Sequence, residues 1–292
     1  MEGLVMDGWS RRFTALAVIA AAAGLPAGAG AAEYGGTFAL QGGAPVIEMH
    51  LDLVRGATPL DARLDLWATR RDGTAPLTRY DTTHTKKIHL VVVSDDLSSF
   101  MHVHPALRAG HFVEDLHVPR PALYHIFADV TPSGIGQQVY RFDVAFGSAG
   151  RTPVAATVPS RVANAGPYRV TLDTSALQTT RATTVAVSIE KGGRPARDLT
   201  AYLGAPAHAV LIHPADWTYL HVHPTQGADA SAGMAGMSGT HAMADADLPA
   251  TAAVGPAMTL NINARERGAY RCWLEFRGGG SVYDAAFNLN AR

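Results

Sequence analysis

Two stretches decide how this chain folds: HLVVVSDDLSSFMHVHP at residues 89–105 and HAVLIHPADWTYLHVHP at residues 208–224. In both, a histidine is followed after twelve residues by His-Val-His-Pro, with an aromatic side chain (Phe100, Tyr219) two positions before the second histidine. The surroundings repeat too. Asp72-Gly73 and Gly192-Gly193 lie at nearly equal distances upstream, and downstream YHIFAD from Tyr124 matches YRCWLE from Tyr270. Identities at matched spacing within a repeated frame mark an internal duplication.

Each stretch reads as a β-hairpin. In the first, residues 88–93 and 100–104 are strand-like, and the intervening SDDLSS is turn-like. Residues i and i+2 of a strand share a face, so His102 pairs with His104 and His221 with His223. Folding at the middle of the turn sets His89 opposite His104 and His208 opposite His223, with Cβ atoms about 5 Å apart. Three imidazoles from one hairpin suit Cu(II) or Zn(II) with a position left open. These rings are expected to face a solvent-accessible site. The competing reading makes them hairpin hydrogen-bonders tied to backbone carbonyls, and the apolar run from Leu90 to Val93 warns that both faces are partly buried. Whether two hairpins make two sites or one shared interdomain site stays open.

Working outward, short alternating runs dominate. Ile47, Met49, Leu51 and Leu53 alternate with polar residues, as do Leu64, Leu66 and Ala68, and Tyr140, Phe142, Val144 and Phe146. Val185, Val187 and Ile189 repeat the pattern in the second half, followed by Met258, Leu260 and Ile262. Such runs between Gly, Pro and Asp turns predict an all-β chain of two tandem immunoglobulin-like or cupredoxin-like β-sandwich domains. The boundaries are read as 33–146 and 167–292, joined by an Ala/Gly/Pro/Val linker at 147–166.

Residues 1–32 are set aside as a signal peptide. Arg11-Arg12 precede an apolar run from Phe13 to Leu25, and small residues follow at 29–32. Cleavage is expected to leave Ala32 or Glu33 first, in a periplasmic or secreted protein with no stable membrane insertion afterwards. Sec export is preferred over the twin-arginine route. A formal net charge of −1 gives no field that would attract nucleic acid. The only cysteine, Cys272, alternates with Tyr270, Leu274 and Phe276 and reads as core rather than thiolate ligand.

Thirteen histidines are the chemical anomaly. Beyond the two hairpins, His84 and His213 lack counterparts in the other repeat and read as extra ligands or ordinary surface. His50, His111, His117 and His125 read as solvated strand faces. A second soft-metal candidate lies in the low-complexity loop at 227–249, where Met234, Met237, His241 and Met243 fall within ten residues. Thioethers favour Cu(I), and a loop of this composition has no packing reason to hold methionines; chance is the other reading.

The HLVVVSDDLSSFMHVHP segment resembles that of secreted bacterial β-sandwich proteins grouped loosely with YtkA-like and FixH-like domains. Residues 202–224 match its second-domain version, while the Met-rich loop departs from the shared pattern. The resemblance implies heavy-metal and copper handling. The resulting expectation is a non-enzymatic metal-binding protein with copper as cofactor and zinc as the alternative. It would act as a carrier, buffer or resistance accessory, with a periplasmic or membrane transfer partner. A metal-dependent oxidoreductase is the enzyme alternative, although a bicupin would want a Glu four or five residues past the second histidine. Arg108-Ala109 and Gly227-Ala228 stand there instead. A non-metal adhesion module is the third reading.

Overall fold

The computed structural model describes residues 46–148, 152–226 and 247–292, all within one compact unit. The proposed signal peptide and the Met234, Met237, His241 and Met243 group lie outside the described residues. Among the described residues every named element is a strand, and no helix is long and apolar enough to cross a membrane.

The first region contains β1 (Ile47–Arg55), β2 (Asp61–Arg70), β3 (Ile88–Ser94), β4 (Phe100–Val103), β5 (Ala106–Arg108), β6 (His111–His117), β7 (Ala122–Val130) and β8 (Gln138–Phe146). They form two antiparallel sheets, β1-β2-β6-β5 and β4-β3-β7-β8. The alternation seen in sequence supplies the core between the sheets. Leu64, Leu66 and Phe112 from one sheet meet Leu90, Val92, Tyr124 and Ile126 from the other.

The second region continues with β9 (Val162–Ala165), β10 (Tyr168–Leu172), β11 (Ala176–Leu177), β12 (Thr183–Lys191), β13 (Arg194–Pro195) and β14 (Leu199–Thr200). It is completed by β15 (His208–His213), β16 (Thr218–Val222), β17 (Ala257–Ile262), β18 (Gly268–Gly278) and β19 (Ser281–Ala291). One sheet runs β13-β12-β10-β9 with β17 on β12; the other runs β11-β19-β18-β15-β16 with β14 on β18. Val170, Val185, Val187 and Leu260 pack against Leu211, Leu274, Phe276 and Phe287 between them. Cys272 lies in this core, its thiol pushed up to about 12 by burial. Strand β9 falls inside the stretch read as linker and pairs with β10, because Val162–Ala165 continues the sheet before the Gly166 turn.

The apolar run from Leu90 to Val93 is buried on both faces. Leu90 and Val92 enter their own sandwich core, whereas Val91 and Val93 enter a separate cluster with Leu97, Phe127 and Val139 from the first region. The second region contributes Val210, Ile212, Tyr219 and Trp273 to that same cluster. The two repeated hairpins therefore pack face to face. Phe127 stacks on Tyr219 at 5.1 Å, and Phe100 on Trp273 at 4.7 Å between ring centroids.

Candidate metal centre

The hairpin geometry follows from the period-2 pattern. In the first, Leu90 faces Val103 and Val91 faces His102; continuing that register sets His89 opposite His104. In the second, Ala209 faces Val222 and Val210 faces His221, which sets His208 opposite His223. All six histidines thus project from the same strand faces as the interdomain residues Val91, Val93, Val210 and Ile212.

The six rings form one cluster at the interface. Within the first hairpin, His89 lies 5.2 Å from His102 and 5.0 Å from His104 between centroids. Within the second, His208 lies 5.5 Å from His221 and 4.5 Å from His223. Across the interface His89 meets His221 at 5.0 Å and His102 meets His221 at 5.3 Å. A solvent-accessible site was expected, but the rings are buried: His89 is 3% and His208 0% exposed. The cause is that the face opposite each sandwich core is covered by the other domain.

Backbone carbonyls fix the orientation of two rings. His89 Nε2–H donates to Thr83 O at 2.9 Å, and His208 Nε2–H donates to Tyr202 O at 3.0 Å. In a neutral ring this leaves Nδ1 as a lone pair pointing into the cluster. The carbonyl tie thus holds, and it leaves each Nδ1 available as a donor atom. His89 Nδ1 lies 3.1 Å from His102 Nε2 and 3.2 Å from His104 Nε2. Its counterpart His208 Nδ1 lies 3.2 Å from His221 Nε2. Tetrahedral coordination with metal–nitrogen bonds of about 2.0–2.1 Å needs donors about 3.3–3.4 Å apart, so these separations fit an ion.

Two carboxylates complete the arrangement, each reaching across to the opposite domain. His102 Nδ1 is hydrogen-bonded to Glu275, and His221 Nδ1 lies 3.5 Å from Asp129 Oδ2. Asp129 faces His89 on β7 as Glu275 faces His208 on β18. Their signal was present in sequence, as the last letters of the matched YHIFAD and YRCWLE. A carboxylate on the far nitrogen orients a ligating histidine and raises its basicity.

Burial holds the imidazoles of His89, His102, His208 and His223 well below their ordinary range, and neighbouring histidines add to the effect. Burial likewise lowers His104 to about 3. Neutral imidazole is the form a metal takes. Burial pushes Glu275 up to about 8, and burial followed by Glu275 pushes Asp284 up to about 7. Burial opposes ionisation of Asp129, yet His221 holds its carboxyl low. Without metal, a proton on Glu275 with His102 Nε2–H donating to His89 Nδ1 satisfies the relay. With the proton on His102 Nδ1, two lone pairs face each other, an arrangement that a cation stabilises. His223 Nε2 is buried with no hydrogen-bond partner among the described residues. The histidine groups within donor range are His89, His102 and His221, and His208, His221 and His223. The chain therefore carries side-chain clusters suited to metal coordination.

The other histidines divide. His84 joins the cluster, its ring 3.6 Å from that of His223. Asp247 contacts this loop through Thr85 N at 3.2 Å. His213 is a buried structural residue whose Nδ1 is hydrogen-bonded to the Asp216 carboxylate (2.7 Å) and whose Nε2–H donates to Arg267 O (3.1 Å). His125 was expected on a solvated face but is 0% exposed, packed 3.5 Å from Trp217 and bonded to Asp143 at 2.7 Å. The docked second domain covers it. His117 is exposed, and His50 and His111 are half-buried against Trp67.

No curated protein matches the chain. Among solved structures it is similar to a Salmonella alpha-2-macroglobulin variant, at 14% identity and TM-score 0.24; the match covers 86% of this chain and 15% of that one. A family model described as a domain of unknown function, DUF8832, matches residues 47–147 and 161–292, spanning both sandwiches and all six clustered histidines. The chain belongs to that family.

Proposed function

We propose that this protein is an exported copper-binding protein that sequesters the metal at the interface of its two domains. The supporting observation is that the donor atoms of His89, His102 and His221, and those of His208, His221 and His223, lie within 4.8 Å of one another, with the far nitrogens of His89 and His208 tied to carbonyls. Imidazole donors suit copper, zinc, iron and nickel, and among divalent first-row ions copper binds a given nitrogen site most tightly. The signal-peptide reading of residues 1–32 supports export, and the resemblance to copper-associated secreted β-sandwich proteins supports the choice of metal. The side chains of His102 and His221 are 0% and 3% exposed, which favours a buffer or resistance role over rapid shuttling between partners.

Metal analysis of protein recovered from the periplasm, followed by Cu(II)–Zn(II) competition, tests this reading. Near-stoichiometric copper that excess zinc does not displace is expected. Zinc at equal occupancy would change the metal, and protein retaining none would end the proposal.

A further inference from the structure

Resting on the metal-binding reading above, we propose that the cluster holds two metal ions side by side, one on each hairpin's histidine trio, forming a dinuclear centre across the domain interface. The first trio is His89 Nδ1, His102 Nε2 and His104 Nε2; the second is His208 Nδ1, His221 Nε2 and His223 Nε2.

The array is too drawn out for one ion. Donors bound to one ion through bonds of about 2.0–2.1 Å lie at most about 4.2 Å apart. Among the six rings, His104 contacts its own partners His89 and His102, at 5.0 and 4.5 Å between ring centroids, with its Nε2 3.2 Å from His89 Nδ1. His223 contacts its own partners His208 and His221, at 4.5 and 4.6 Å. The inner four rings meet across the interface at 5.0–6.0 Å. His104 and His223 are therefore the two ends of a chain of rings whose middle is the pseudo-twofold axis.

A single ion on that axis could use His89, His102 and His221, whose donor atoms lie within 4.8 Å of one another. It would leave His223 Nε2 buried without a partner, a loss that a second ion removes. His221 cannot serve both groups. Its Nδ1 faces Asp129, so one lone pair remains, and that lies 3.2 Å from His208 Nδ1. Assigned to its own hairpin, His221 leaves the first trio to be completed by His104, whose Nε2 is 3.2 Å from His89 Nδ1. Charge agrees with two ions. Two divalent cations in a buried site call for compensation on each side, and Asp129 and Glu275 supply one carboxylate to each trio.

Copper titration of the full exported chain, with bound metal counted by elemental analysis and spins counted by electron paramagnetic resonance, tests the proposal. Two equivalents of Cu(II) are expected, the second adding less signal than the first because the adjacent spins couple. His104→Ala and His223→Ala should each lower the stoichiometry from two to one and restore an uncoupled mononuclear spectrum. One equivalent in the parent protein would overturn the two-ion centre while leaving the metal-binding reading intact. No retained copper would overturn both. The parent stoichiometry decides the matter even if a variant fails to fold.

Discussion

His102 and Glu275 stand 173 residues apart in the chain, yet they are hydrogen-bonded across the domain interface. The reverse pairing, His221 with Asp129, is made by the equivalent residues of the other repeat. Each domain thus orients a cluster histidine of its neighbour, the reciprocity expected of a twofold-related interface. Replacing Glu275 by Gln, or Asp129 by Asn, should keep the fold and weaken metal affinity about 10–100-fold. Chelator competition measures it; parental affinity in both variants would show that the carboxylates only neutralise charge.

His89→Ala should damage binding and stability together. It removes the shared Nδ1 donor and one of the two hydrogen bonds that Thr83 O accepts, the other coming from Lys86 N–H, at a cost of about 0.5–1.5 kcal/mol. Urea unfolding of metal-free protein separates the two effects. His104 is less tied to the backbone, so His104→Ala should cost metal while changing the midpoint little.

Acid should destabilise the metal-free protein. His89, His102, His104, His208 and His223 have folded-state pKa values below the ordinary 6.5. The unfolded chain therefore binds more protons between those values and 6.5, and stability falls as pH drops below about 6.5. Each such histidine contributes up to about 1.4 kcal/mol per pH unit. Glu275 and Asp284, raised to about 8 and about 7, act oppositely: the stability they add at low pH is lost as pH rises through those values. Chemical denaturation at pH 5, 6 and 7 should show the histidine effect dominating. A midpoint that is flat over this range would mean the cluster is already protonated in the native state.

The interdomain core should govern the site from a distance. Phe127→Ala or Trp273→Ala removes a stacked ring from that cluster and should cost about 3–5 kcal/mol. Because each trio leans on the opposite domain, these variants should also lose metal although neither residue is a ligand. Retained affinity in a destabilised variant would show that each hairpin holds its metal unaided.

The hairpins, their register and their shared histidine face were legible because period-2 alternation and duplication both constrain them. What escaped was the partner of that face. Val91 and Val93 alternate with Leu90 and Val92, so the sequence marks both sides as apolar without saying that one is a sandwich core and the other a second domain. His125 was misplaced for the same reason, since its cover comes from Trp217, ninety-two residues away. Asp129 and Glu275 were visible as the end of the repeated frame, but nothing local assigns them to histidines of the other half. The burial of Tyr270, Cys272, Leu274 and Phe276 on one face of β18 needed only alternation.

The face-to-face hairpins give the covalent linkage between the repeats a thermodynamic role. Two separate copies of such a domain would build this cluster only by associating, and their metal affinity would then follow protein concentration. Joined in one chain, the halves meet at an effective concentration fixed by the connecting segment, which is of millimolar order for short flexible linkers. The site then stays assembled however dilute the protein becomes. Cutting the chain between β8 and β9 would return it to mass action.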